Sequence, residues 1–174
     1  MKIYIEQLKK HDAKDVFTFE LTNKSFFETM VPNRGSQYFN FEYFQKLLDD
    51  LLLEQADGDS YFYLIRNEEN EIVGRINLVD IDTENRSSSL GYRVGEKFTK
   101  KGVATAAVKL VLDVAKNNEI NEVLAKTTTN NLASQIVLEK SGFSYQNEAD
   151  TNSVELNGEH VKFVHYIWRN TSRL

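Results

Sequence analysis

The spacing of apolar residues changes several times along the chain, and each change marks an element. Residues 2 to 7 read as a short strand. Residues 12 to 24 and 40 to 56 read as helices, the second placing Phe41, Phe44, Leu47, Leu48 and Leu51 at helical spacing. Between them, Met30 to Tyr38 contains Pro32 and Gly35 and reads as a loop. Three strand-like runs follow: Tyr61 to Asn67, then a polar turn to Asn70, then Glu71 to Asp80 and Ser87 to Val94. Alternation puts Ile72, Gly74, Ile76 and Leu78 on one side of the second run, and Leu90, Tyr92 and Val94 on one face of the third. The connections are too short for helical crossovers, so the three predict an antiparallel meander.

At Gly102 the period becomes helical. Ala104, Ala107, Val108, Val111, Leu112 and Ala115 form a single apolar stripe. Asn121 to Thr129 reads as the next strand and Leu132 to Ser141 as another helix, with Gly142 where a helix end favours a left-handed residue. Phe143 resumes strand character. Asn157-Gly158 is a type I′ turn signal joining Thr151–Leu156 to Glu159–Trp168. The order β-α-α-β-β-β-α-β-α-β-β predicts a mixed α/β class. A mostly antiparallel sheet carries one β-α-β unit, in one domain over residues 1 to 174.

Composition narrows the chemistry. The 174 residues include no cysteine, which excludes disulfides, thiolate metal sites and a cysteine nucleophile. The three histidines (His11, His160 and His165) make no ligand pattern, so no metal is expected. A formal net charge of −5 argues against a nucleic-acid surface and suits a cationic partner such as an amine. The longest aliphatic run, Leu51 to Leu53, is too short for a bilayer, and the first residues lack a signal-peptide core. A cytoplasmic address without membrane contact is the expectation.

The most informative stretch runs Gly91-Tyr92-Arg93-Val94-Gly95-Glu96-Lys97-Phe98-Thr99-Lys100-Lys101-Gly102-Val103-Ala104-Thr105. It is a strand, a basic loop, and a helix opening at a glycine and small residues. The first turn of a helix presents unpaired N–H groups and partial positive charge, which suits a phosphate. Neither a GxxxxGK[ST] loop nor a GxGxxG fingerprint is present. The plain alternative is a helix behind a solvated basic loop.

Thr99-Lys100-Lys101-Gly102-Val103-Ala104 resembles the pyrophosphate loop Arg/Gln-x-x-Gly-x-Gly/Ala of the GNAT N-acetyltransferase superfamily, with Thr99 departing from its first position. Downstream, Asn131-Leu132-Ala133-Ser134 and Glu139-Lys140-Ser141-Gly142-Phe143 resemble the family's Asn-x-x-Ser and Glu-Lys-x-Gly-Phe segments. The pair is most similar to the RimJ/RimL-like branch, which acetylates N-termini of ribosomal proteins. The resemblance implies acetyl-CoA as cosubstrate and a sheet with one splayed parallel pair. It assigns Tyr92, Arg93 and Val94 to the cofactor strand, and Lys100, Lys101, Gly102, Val103, Ala104, Thr105 and Lys140 to the phosphate side. Asn131 would contact the pantetheine arm, and Ser134 would stand at the departing sulfur as the catalytic residue.

Alternatives stay open at several positions. Asn131 reads equally as a helix cap, Ser134 as a small packing residue, and the three lysines as solvated charges. The branch often carries Glu two residues before its Gly-Tyr pair, where this chain has Ser89. The general base is therefore unassigned, with Glu28, Asp80, Asp82 and His165 as weak candidates. Phe26, Phe27, Tyr38, Phe39, Phe41, Tyr43 and Phe44 flank the early loop as core or pocket wall. The acceptor is a protein N-terminus, a polyamine, an amino acid or an amine antibiotic. A non-catalytic acyl-CoA-binding domain is the alternative outside the enzyme class, and a homodimer is a possible assembly.

Overall fold

The computed structural model describes residues 1–146 and 152–173. In chain order the elements are β1 (Ile3–Gln7), α1 (Ala13–Thr22), α2 (Lys24–Glu28), α3 (Phe41–Ala56), β2 (Tyr61–Asn67), β3 (Ile72–Asp82) and β4 (Ser87–Val94). They continue with α4 (Val103–Asn117), β5 (Glu122–Thr128), α5 (Leu132–Lys140), β6 (Ser144–Gln146), β7 (Ser153–Leu156) and β8 (Glu159–Arg169). Thr151, expected at the start of a strand, lies outside the described residues. Asn157 and Gly158 both have positive φ, 52° and 81°, as a type I′ turn requires.

Two expectations need correction. The helix over 12 to 24 ends at Thr22 and a second, α2, starts after Asn23. Asn23 turns its side chain on the backbone, donating from Nδ2 to the Phe19 carbonyl (2.9 Å). Its Oδ1 accepts from the Glu96 N–H (2.9 Å). Such local bonding competes with helix continuation. Ile72 does not share a side with Ile76 and Leu78. The β2–β3 register shifts between Ile65 and Arg66, so Val73 is extra and Ile72 turns to the other core.

The eight strands form one sheet in the order β1-β2-β3-β4-β5-β8-β6, with β7 on β8. Among the described strands only β4 and β5 run parallel. α4 supplies Ala107, Val108, Val111 and Ala115, none of them exposed, to a core with Ile76, Leu78, Leu90 and Val123. Each buried valine of that stripe stabilises the fold by roughly 1.5–3 kcal/mol. On the opposite face Val16 of α1 and Phe44 and Leu48 of α3 pack on Phe62 and Leu64 of β2. Helices thus cover both faces of the sheet and hold β4, the strand that opens, between two cores. No helix among the described residues is long and apolar enough to cross a membrane.

Candidate functional site

The parallel pairing starts at Ser87↔Glu122 and stops at Leu90↔Ala125. Both strands continue beyond that point: β4 stays paired to β3 as far as Val94↔Gly74, and β5 to β8 as far as Thr128↔Phe163. Residues 91 to 94 therefore have no strand partner on their β5 side, and the sheet gapes there. The direction of the peptide groups follows from their neighbours. The Arg86 carbonyl accepts from the Asn121 and Glu122 amides of the β5 side, and the Gly95 N–H donates to Val73 of the β3 side. Peptide groups alternate along a strand, so those of Tyr92 and Val94 face the opening.

At one end of the opening α4 begins. Gly102 sits at its N-cap with φ 79° and no side-chain cap. The first helical bond runs from the Ala106 N–H to the Gly102 carbonyl at 3.1 Å, so the amides of Val103, Ala104 and Thr105 precede it. A Cβ placed on Gly102 would meet nothing within 4 Å, which leaves the approach clear. Lys100 and Lys101 are exposed beside it. Val103 is buried in the core, so its side chain takes no part in the cradle. This cradle fits an anion such as a pyrophosphate.

On the other side of the opening stands α5. Asn131 caps it, its Oδ1 accepting from the Ser134 N–H at 3.1 Å, and keeps both amide donors free. The Ser134 Oγ meets the Tyr92 Oη at 2.8 Å. Sequence reasoning valued Tyr92 for its backbone and missed this side-chain role, although its place on the same face as Leu90 pointed towards α4 and α5. Burial pushes the Tyr92 phenol above its usual value, and the bond to Ser134 offsets part of that rise. The phenol stays protonated at neutral pH. Lys140 closes α5 about 9 Å along the axis from Ser134, apart from the others.

Arg93 also sits apart. Its side chain points to the opposite face, where Nη1 bonds Glu20 Oε2 at 3.0 Å and the guanidinium lies 4.7 Å from the Phe27 ring. Arg75 Nη1 holds the other Glu20 oxygen at 2.7 Å. Burial works against the charged form of all three. The two guanidiniums win at Glu20, which is held below the usual carboxylate range, and Glu20 wins at Arg75, which is raised. At Arg93 burial prevails and the pKa falls. Phe27, Tyr38 and Phe39 join Glu20, Arg34 and Arg93 around a small cavity on this face, while Phe44 is core.

The candidate bases have other duties. Asp82 accepts two bonds from Asn85 at the β3–β4 turn, Glu28 lies 3.0 Å from Lys24 Nζ, and Asp80 is exposed. His165 lies on β8 opposite Lys126 and Gln146.

A sheet opened beside a helix start, with Tyr92, Gly102, Asn131 and Ser134 around it, is matched by one family over most of the chain: residues 2–144 fit the acetyltransferase (GNAT) domain. The chain belongs to that family. Its relatives include a protein of Bacillus subtilis named a probable N-acetyltransferase, YjcK, 28% identical over 90% of this chain and 87% of its own length. Among solved structures, the ribosomal-protein-S5-alanine acetyltransferase of Vibrio fischeri superposes with a TM-score of 0.89 at 20% identity, covering 98% of this chain and 94% of its own. RimL, a ribosomal L7/L12 alpha-N-protein acetyltransferase solved with coenzyme A, does so at 0.87 and 20% identity, covering 97% and 94%. At these identities the two structures establish the shared fold.

Proposed function

We propose that this acetyltransferase moves the acetyl group of acetyl-CoA to the amine of a peptide N-terminus, by direct attack with both substrates bound. The observation that carries the reading is the opening in the sheet, which joins an anion cradle at one end to a pair of hydroxyls at the other. The family supplies the acyl transfer. The ribosomal-protein acetyltransferases among its structural relatives support a peptide acceptor, and with it a cytoplasmic place of work.

When bound, acetyl-CoA supplies an acetyl group activated as a thioester. The amides of Val103, Ala104 and Thr105, the bare backbone of Gly102, and Lys100 and Lys101 hold its pyrophosphate. The outward peptide groups of Tyr92 and Val94 pair with the amide-bearing pantetheine as a further strand would, and the free amide donors of Asn131 reach the same arm. An N–H of this segment would polarise the thioester carbonyl. The hydroxyls of Ser134 and Tyr92, 2.8 Å apart, would hydrogen-bond the departing sulfur. Holding the amine against the carbonyl contributes most of the acceleration. The chain has neither a cysteine nor a GxSxG elbow, so no acetyl-enzyme is invoked.

The test is thermal melting with saturating acetyl-CoA, for the wild type and Gly102→Glu. Ligand at about 100 times its dissociation constant stabilises the native state by about 2.7 kcal/mol, a rise of roughly 5–10 °C at this size. Loss of that rise in Gly102→Glu, with intact mass showing one acetyl added to a peptide N-terminus by the wild type, supports the reading. No rise at millimolar cofactor refutes it.

A further inference from the structure

A chain with a formal net charge of −5 gathers positive charge at one place. On the α1–α2 face of the sheet, the single carboxylate of Glu20 serves two guanidiniums, Arg75 and Arg93. Arg34 adds a third, donating to the Tyr38 Oη at 3.0 Å and lying 4.9 Å from its ring. Lys24 and Glu28 offset each other across 3.0 Å. Of the three arginines, Arg34 and Arg93 line the cavity with Lys24 against Glu20 and Glu28, an excess of one positive charge, while Arg75 backs Glu20 from outside it.

Arg93 keeps most of its donors free beside Glu20. Only Nη1 has a hydrogen-bond partner, the side chain is 15% exposed, and the guanidinium is laid on Phe27. A guanidinium has five N–H donors in a flat fork that matches a carboxylate. The residue also stands at the opening, between Tyr92 and Val94, whose peptide groups face into it. Gly91, one pleat along on the same face, would meet nothing within 4 Å of an added Cβ. An acceptor approaching through the gap from this face passes open space at Gly91 and meets Arg93.

We propose that the acceptor carries a carboxylate close to its amine, and that Arg93 and Arg34 hold that carboxylate in this cavity. The inference rests on the acetyltransferase reading and names the acceptor class for the same site.

The experiment measures calorimetric affinity and kcat/KM side by side on the full chain. The probes are a Ser-Asp-Asp-initiated heptapeptide, its Ser-Lys-Lys counterpart, and free glutamate, with binding measured on protein saturated with coenzyme A. The acidic peptide should bind roughly tenfold tighter than the basic one, the scale of one charge-assisted hydrogen bond. The preference should shrink at 0.5 M salt. Arg93→Gln should bring the ratio close to one. Arg34→Gln, at an exposed position, should lower it without a folding penalty. Equal affinity, preference for the lysine peptide, or no binding of any probe overturns the inference. Free glutamate binding above the peptides identifies an amino-acid acceptor and keeps the carboxylate site. Acidic preference in binding with no acetyl transfer leaves the cavity standing and refutes the transferase reading instead.

Discussion

Gly74 and Gly91 face each other's strands across the β3–β4 ladder, and the space around them predicts opposite responses to one methyl group. A Cβ on Gly74 would lie 2.6 Å from the Arg93 carbonyl oxygen, 2.9 Å from Ile65 Cδ1 and 3.4 Å from Val94 Cα. Ile65 can rotate, but the Arg93 carbonyl is backbone held in the ladder opposite Arg75. β4 itself must move. Overpacking of this kind costs about 1–3 kcal/mol, from which the entropy removed from the unfolded chain subtracts about 0.5. Gly74→Ala should therefore lower Tm by roughly 1–10 °C. It should also raise KM for acetyl-CoA, because the displaced segment carries the outward peptide groups of Tyr92 and Val94. Gly91→Ala meets nothing within 4 Å and should raise Tm by roughly 1–4 °C through the unfolded state alone. Differential scanning calorimetry of both variants decides. Shifts in the same direction, or a Gly74→Ala protein that melts like wild type, would refute the packing argument.

Removing either hydroxyl of the 2.8 Å pair, as Ser134→Ala or Tyr92→Phe, should lower kcat about tenfold with little change in KM for acetyl-CoA. The double variant should be scarcely worse than either single one in steady-state assays, because the two act as a unit. Glu20→Gln should destabilise by about 3 kcal/mol, since Arg75 and Arg93 lose their shared counter-charge in a buried place. The pH dependence has a definite sign. Burial pushes the Glu20 carboxyl up, but Arg75 and Arg93 outweigh it and hold the group below its usual 4.5. The folded state releases that proton more readily than the unfolded one, so the stabilisation is complete above the ordinary glutamate range. It disappears as pH falls through the folded value. Acid melts of wild type should show a loss below pH 4.5 that Glu20→Gln lacks.

Most of the fold was legible because its signals are local. The stripe from Ala104 to Ala115, the left-handed Gly142 (φ 90°) and the Asn157-Gly158 turn each declare an element within a few residues. The opening was foreseen only through family resemblance, since the end of a strand pairing depends on two distant segments. Besides the helix break at Asn23 and the bulge at Val73, the features that escaped are long-range pairings of side chains. Tyr92 and Ser134 lie 42 residues apart, and Glu20 lies 55 and 73 residues from its two arginines. A partial signal existed for the second set. Arg75 interrupts the apolar run Ile72, Val73, Ile76 and Leu78 at a position that the sheet buries, and a buried arginine demands an acid. Nothing in sequence spacing says which acid.

The short parallel seam has a mechanical consequence. β1 to β4 form one antiparallel raft and β5, β8, β6 and β7 another, and between β4 and β5 they share only four residue pairs. An amide-bearing arm laid against Tyr92 and Val94 becomes the missing rungs of that seam and stiffens the joint between the rafts. Amide hydrogen exchange along residues 87 to 94 and 122 to 128 should therefore slow on ligand binding more than in the antiparallel ladders on either side. On the proposed reading, a sheet built this way leaves its final zipping to the molecule that it uses.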